Sequence, residues 1–217
     1  MTLILLIRHG ENEYTRTGKL AGWTPGVSLN ETGQKQAQAL VKRLLLVPIQ
    51  QIYSSPLERA RETAAPLAQA RGLKVQVRDG LGEVGYGEWT GKSLKRLART
   101  KLWRVVQQMP SAMQFPDGES MRGAQLRLVD ALEAIARDHP KDTVAVFCHS
   151  DPIKLAVAYY LGMPLDLFQR LQVSTCSVTA LRLGAGGAPS LVKLNDTGPF
   201  EARQAGPHKR PAPKRKP

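Results

Sequence analysis

Two short unbroken apolar blocks stand out along the chain, Leu3 to Ile7 in TLILLIRHG and Val144 to Cys148 in TVAVFCHSD. Runs of this length without alternation read as strands covered on both faces. Elsewhere the apolar positions return every three or four residues. Ala37, Leu40, Val41 and Leu44 in SLNETGQKQAQALVKRLLL predict a helix with Asn30 as its N-cap. Leu128, Leu132 and Ile135 predict another, running from a Ser120 cap to His139. In SSPLERARETAAPLAQARG, Ser55 is expected to cap a helix, Pro56 to take its first position and Gly72 to end it, with Pro66 distorting it. Residues 93–108 and 153–161 read as further helices, and the Gly-rich stretch 79–91 as a loop. Shorter strands are expected at Ile49–Tyr53, at Lys74–Val77 and around 177–183 and 190–194. Strands alternating with helices predict an α/β protein, a three-layer α/β/α arrangement with a mostly parallel central sheet.

The length, 217 residues, suits one well-buried domain. No apolar run approaches the roughly 20 residues of a membrane span, and Leu3–Ile7 lacks the basic flank of a signal peptide. Two cysteines, Cys148 and Cys176, make no disulfide framework, which fits a reducing compartment. A cytoplasmic protein without membrane partners is expected. The formal net charge of +13 raises the question of nucleic acid. It is unevenly spread: residues before Glu201 hold 25 of the 31 Lys/Arg and 17 of the 18 Asp/Glu, a net of +8. The rest sits in a Pro-rich basic tail, 198–217, which has too few apolar residues to bury and is expected to be disordered. The folded domain is then 1–197, and its net charge suits an anionic substrate as well as it suits a polymer; a nucleic-acid partner is not expected.

The ends of the two apolar blocks are where chemistry is expected. His9 and His149 each follow a buried strand, and parallel strands deliver their carboxyl ends to one crevice. Arg8 precedes the first histidine. Arg59 lies in the first turn of the Ser55–Pro56 helix, whose N-terminus favours anions. Singly, Arg8–His9 would be an ordinary strand end, and Arg59 a surface charge beside Glu58 and Glu62. Together, two imidazoles and two guanidinium groups point to phosphate recognition.

Five segments in order, RHGE at 8–11, SSPLERARET at 54–63, LGEVGYGEWTG at 81–91, DGES at 117–120 and CHSDPIK at 148–154, resemble the histidine phosphatase (phosphoglycerate mutase-like) superfamily over roughly residues 2–195. The resemblance implies the phosphoglycerate mutase-like fold and a phosphohistidine intermediate. It implies His9 as nucleophile, Arg8, Arg59 and His149 as phosphate holders, and Glu83 as acid and then base, with no cofactor. Phosphoryl transfer depends chiefly on positioning and electrostatics, which fixed cations supply. The chain departs from the family pattern at Thr15, where Asn is frequent, and at Ser150, where Gly is frequent. Both remain candidate substrate ligands, with Asp151 read as a helix N-cap. Trp23, Tyr86 and Trp89 are candidate walls of the substrate pocket. His139 and His208 read as structural or solvated.

Other sites fit poorly. GYGEWTGKS lacks P-loop spacing, with five residues between Gly85 and Gly91 and no strand feeding it. Cys148 has Lys154 six residues on, where a cysteine phosphatase loop needs arginine. No closely spaced metal-ligand pair occurs, so no metal is expected. Among family activities, hydrolysis of a small phosphate ester is expected over phosphoglycerate mutase chemistry. Only 35 residues separate Glu83 from Glu119, and KLWRVVQQM offers a single arginine, Arg104. A non-catalytic phosphate-binding module is the remaining alternative. The natural substrate and the possibility of a homodimer are left open.

Overall fold

The computed structural model describes residues 1–185 and 187–198; His208 and all of the expected tail except Gly198 lie outside them. The elements, in chain order, are β1 (Thr2–Arg8), α1 (Glu13–Arg16), α2 (Glu31–Arg43), β2 (Ile49–Ser54), α3 (Glu58–Arg71), β3 (Val75–Val77), α4 (Leu94–Leu97), α5 (Lys101–Gln108), α6 (Met121–Asp138), β4 (Thr143–Cys148), α7 (Ser150–Tyr160), β5 (Val178–Leu183) and β6 (Ser190–Asp196). They form one six-stranded sheet, β3-β2-β4-β1-β5-β6. β3, β2, β4 and β1 are mutually parallel, while β5 runs antiparallel to both β1 and β6. The mostly parallel sheet expected from the alternation is present, with one reversed strand.

Side-chain alternation along β1 builds the layers. Ile4 and Leu6 pack with Leu128, Leu132 and Ile135 of α6 and with Ile153, Ala156 and Val157 of α7. Leu5 and Ile7 face the other way, onto Leu40 of α2, Leu44 at its C-cap, and Ala64 and Leu67 of α3. Every residue of β1 from Ile4 to Ile7 is inaccessible to water. Burying each such side chain is worth roughly 1.5–3 kcal/mol, so the strand that ends at His9 is firmly held. Among the described residues, no helix is long and apolar enough to cross a membrane.

Several expected boundaries move. α3 begins at Glu58 with Leu57 as N-cap, so Ser55 and Pro56 precede it in a turn. A residue before proline is kept out of the helical region, which delays the helix start. α3 then runs through Pro66 without a break and ends at Gly72, in the left-handed conformation. The stretch 93–108 is two helices, because Thr100 caps a new one by accepting from the Trp103 N–H. The loop 79–91 holds two short 3-10 turns, Asp79–Leu81 and Gly87–Trp89. Asp151 is not a cap. α7 starts directly at the strand end, with His149 at the cap position, leaving the Asp151 side chain free for other partners.

Candidate active site

The site is assembled at the carboxyl edge of two adjacent strands. β1 and β4 pair with Arg8 opposite Cys148, and the His9 N–H donates to the Cys148 carbonyl at 3.0 Å. The next residue on each strand is a histidine, and the two rings stand 5.2 Å apart. The chain turns sharply after His9, where a Cβ on Gly10 would meet the Gly33 carbonyl at 2.8 Å. Only glycine permits that approach, and it brings the start of α2 against the loop after the histidine. Thr63 of α3 fixes the same turn, accepting from the Gly10 N–H at 2.9 Å and donating to the Arg59 carbonyl at 2.6 Å.

His9 Nδ1 lies 2.7 Å from the Gly10 carbonyl. A carbonyl only accepts, so the proton sits on Nδ1 and the lone pair on Nε2. Burial, followed by the charges of Arg59 and Arg8, pushes the His9 pKa well below the usual histidine value. His149 is lowered for the same reasons, burial first and then Arg59. Both imidazoles are neutral at pH 7.

Arg59 is 1% exposed and donates from Nη2 to the Gly22 carbonyl at 2.8 Å. Arg8 donates from Nη1 to the Val173 carbonyl at 2.6 Å. Each is therefore anchored by one nitrogen. Arg8 Nε, Arg59 Nε and Nη1, Asn12 Nδ2 and His149 Nδ1 are buried without a partner; among the described residues only Tyr160 OH and Ser177 Oγ share that condition. Arg8, Asn12 and Arg59 line the same cleft as His9, a cavity of about 360 Å³.

Glu83 comes from the Gly-rich loop, and its Oε2 lies 3.9 Å from His149 Nδ1. Its backbone is fastened from outside. Arg127 of α6 donates to the carbonyls of Gly80, Gly82 and Glu83 and makes a two-pronged pair with Glu119, at 2.7 and 2.9 Å. Glu119 in turn accepts from the Gly85 N–H at 2.8 Å. Burial, helped by the charge of Asp151, raises the Glu83 pKa to about 7. A carboxyl so tuned can give a proton and take one back near neutral pH.

The other expected residues sort by position. Thr15 lines the cleft, but its hydroxyl is occupied in the α1 capping box, accepting from the Asn12 N–H and donating to the Asn12 carbonyl. Ser150 lines the cleft at the first position of α7. Tyr86 and Trp89 form part of the wall. Trp23 does not: it is 41% exposed and donates to the Glu83 carbonyl at 2.7 Å. Ser55, expected as a cap, instead meets His149 Nε2 at 2.8 Å. Asp151 accepts from the Tyr86 hydroxyl at 2.9 Å and from Lys154 at 3.3 Å. His139 is structural, bonded to Tyr53. Burial pushes the Cys148 thiol far up, which removes it as a nucleophile. Among the described residues, no three His, Cys, Asp or Glu side chains gather as a metal site.

The sheet order and the cluster at its edge define an α/β enzyme of the histidine phosphatase type. The chain belongs to the Histidine phosphatase superfamily (branch 1), whose pattern matches residues 4–197. It is 29% identical over 185 residues to phosphoserine phosphatase 1 of Hydrogenobacter thermophilus, covering 84% of this chain and 87% of that one. It is also 27% identical over 199 residues to the 2,3-bisphosphoglycerate-dependent phosphoglycerate mutase of Thermoplasma acidophilum, covering 91% and 95%. The solved structure of YhfR from Bacillus stearothermophilus superposes with a TM-score of 0.86 at 27% identity, covering 93% of this chain and all of that one.

Proposed function

We propose that the protein hydrolyses phosphate monoesters of small metabolites, with His9 carrying the phosphoryl group between two half-reactions. The observation that carries this reading is the group of five buried, unpartnered nitrogens on Arg8, Asn12, Arg59 and His149. Leaving a buried donor unpaired costs roughly 1–3 kcal/mol, so donors gathered in this way favour a ligand that brings acceptors. The oxygens of a phosphoryl group are acceptors for such donors, and their negative charge suits the two guanidinium groups among them.

In the first half-reaction, the His9 Nε2 lone pair attacks phosphorus as the ester P–O bond breaks. The departing alkoxide takes the proton of Glu83, leaving an alcohol, a phosphohistidine and a Glu83 carboxylate. In the second, Glu83 takes a proton from water while the water oxygen attacks phosphorus. The P–N bond breaks, its electron pair returns to His9 Nε2, and phosphate leaves. Arg8, Arg59 and His149 stabilise the charge on the equatorial oxygens throughout, with Asn12 as a further donor. The backbone N–H of Ser150, in the first turn of α7, has no helical partner and serves the same oxygens. If the Ser55 hydroxyl donates to His149 Nε2, the imidazole proton is held on Nδ1, the nitrogen toward Glu83.

Hydrolysis is favoured over isomerisation by what lies beyond the phosphate seat. Arg104 is exposed and absent from the cleft lining, and the Lys154 ammonium is already held by Asp151. Inorganic phosphate should be released from small monoesters with EDTA present, because guanidinium groups supply the positive charge. Activity lost to EDTA and restored by a divalent ion would overturn that account. Isomerisation of 3-phosphoglycerate much faster than its hydrolysis would make the enzyme a mutase.

The tuning of Glu83 gives a pH prediction. Glu83 must be protonated to serve as acid, so kcat/KM for an alkyl phosphate should fall as pH rises through about 7 in the unliganded enzyme. An aryl phosphate, whose leaving group hardly needs the proton, should show no such limb. The negative charge of Asp151 helps raise Glu83, so Asp151→Asn should move the limb to lower pH. An unmoved limb would show that burial alone sets it.

A further inference from the structure

The outer half of the cleft differs in kind from its floor. From Tyr86, beside the reacting groups, a series of aromatic rings runs toward the mouth. Tyr86 meets Phe115 edge-on at 5.2 Å, Phe115 meets Trp89 edge-on at 5.3 Å, and Trp89 stacks on Trp103 at 6.2 Å and 22°. All four line the cavity. Trp89 and Phe115 are buried, whereas Trp103 is half-buried and Leu94, also on the lining, is 38% exposed. Apolar surface kept open at the mouth of a site is surface for a ligand to cover.

The cations present there are poorly placed for a carboxylate. Lys154 lies 3.3 Å from Asp151 Oδ1 and 3.3 Å from Gln169 Oε1, so recruiting it to a substrate would strand the Asp151 charge. Lys19 is exposed at the rim, where water screens it. A substrate carboxylate one or two carbons from the phosphate would therefore meet rings and a neutralised ammonium.

We propose that the alcohol half of the substrate carries a planar ring that lies against Trp103, and not a carboxylate. This rests on the phosphatase reading above. The class is a phosphate monoester of an alkyl alcohol bearing an aromatic or heteroaromatic group. The alkyl oxygen leaves to Glu83 as before, and the ring supplies binding energy away from the reacting bond.

The test compares four esters that all release an alkoxide: 2-phenylethyl phosphate, ethyl phosphate, O-phosphoserine and 3-phosphoglycerate. With the full chain, the phenylethyl ester should exceed the other three in kcat/KM by about tenfold or more, chiefly through KM. Trp103→Ala should cut the ratio of phenylethyl to ethyl efficiency by about tenfold, while Trp103→Phe, which keeps a ring, should preserve most of it. A ratio that survives Trp103→Ala in a protein with unchanged melting behaviour would overturn the proposal. If Trp103→Ala does not fold, Leu94→Glu becomes the test, with the ratio again expected to fall and an unchanged ratio overturning the proposal. Hydrolysis of all four esters with equal efficiency, or preference for phosphoserine or phosphoglycerate, would overturn the ring subsite and leave the phosphatase standing. Hydrolysis of none would overturn the phosphatase itself.

Discussion

Replacing His9 with alanine is expected to abolish both turnover and the capture of a phosphoryl group on the protein. The reason lies in how the imidazole is held. The Gly10 carbonyl keeps its proton on Nδ1, and burial with Arg59 and Arg8 keeps the ring neutral, so Nε2 always offers its lone pair. A nucleophile fixed on a buried strand beside anchored guanidinium groups gains from orientation alone, and its loss should lower kcat by about four orders of magnitude or more. The attachment chemistry is specific. A phosphoramidate on imidazole is labile in acid and stable in alkali, the reverse of a phosphoserine ester. Rapid quenching with labelled substrate should trap acid-labile label on the wild type and none on His9→Ala. Label on a serine or on Cys148, or near-normal turnover in the variant, would remove His9 from the reaction. His149→Ala should slow the reaction without moving the label.

The second large effect is expected at Glu83, and it depends on the substrate. Glu83→Gln keeps an oxygen to accept from the Val84 N–H, which Glu83 Oε1 does at 2.9 Å, so the loop should hold its shape. What it loses is the transferable proton. With an alkyl phosphate, kcat/KM should fall by about 10²–10⁴-fold, the usual worth of general acid help. With 4-nitrophenyl phosphate the first half-reaction should barely change, because nitrophenolate departs unassisted; hydrolysis of the phosphohistidine then becomes the slow step, visible as a burst of nitrophenol. Equal losses on both esters, with no burst, would make Glu83 a positioning group.

Much of this candidate site is legible in the sequence because its two histidines sit at the ends of strong local patterns. LILLI and VAVFC are unambiguous strands, and the histidine after each is placed by the parallel pairing alone. Two of the misreadings come from contact with something distant in the chain. Ser55 has the local look of a cap, yet its hydroxyl meets an imidazole 94 residues away. Asp151 has the look of another, yet it serves Tyr86, 65 residues back. Asn12 gives no signal in the sequence, because nothing local separates a cleft-lining amide from a turn residue. Arg127 and Glu119 lie eight apart on either side of a helix start, and only the fold shows that they grip the loop carrying Glu83. In 93–108 the apolar rhythm continues across the break at Thr100, so periodicity alone predicted one helix where two stand.

The order of strands also governs when activity can first exist. β1 and β2 do not pair with each other, because β4 lies between them and pairs with both. His9 and Arg59 thus come from the first third of the chain, but the strand that lies between β1 and β2 is synthesised some ninety residues later. Parallel insertion of this kind closes long loops before any local contact rewards it, which makes it a late and slow event in folding. Half-folded molecules with β1 and α2 already packed still lack β4 and the histidine that follows it. On refolding, return of catalysis should therefore lag behind return of helical signal, and a nascent chain that has not yet delivered residue 149 should be inactive.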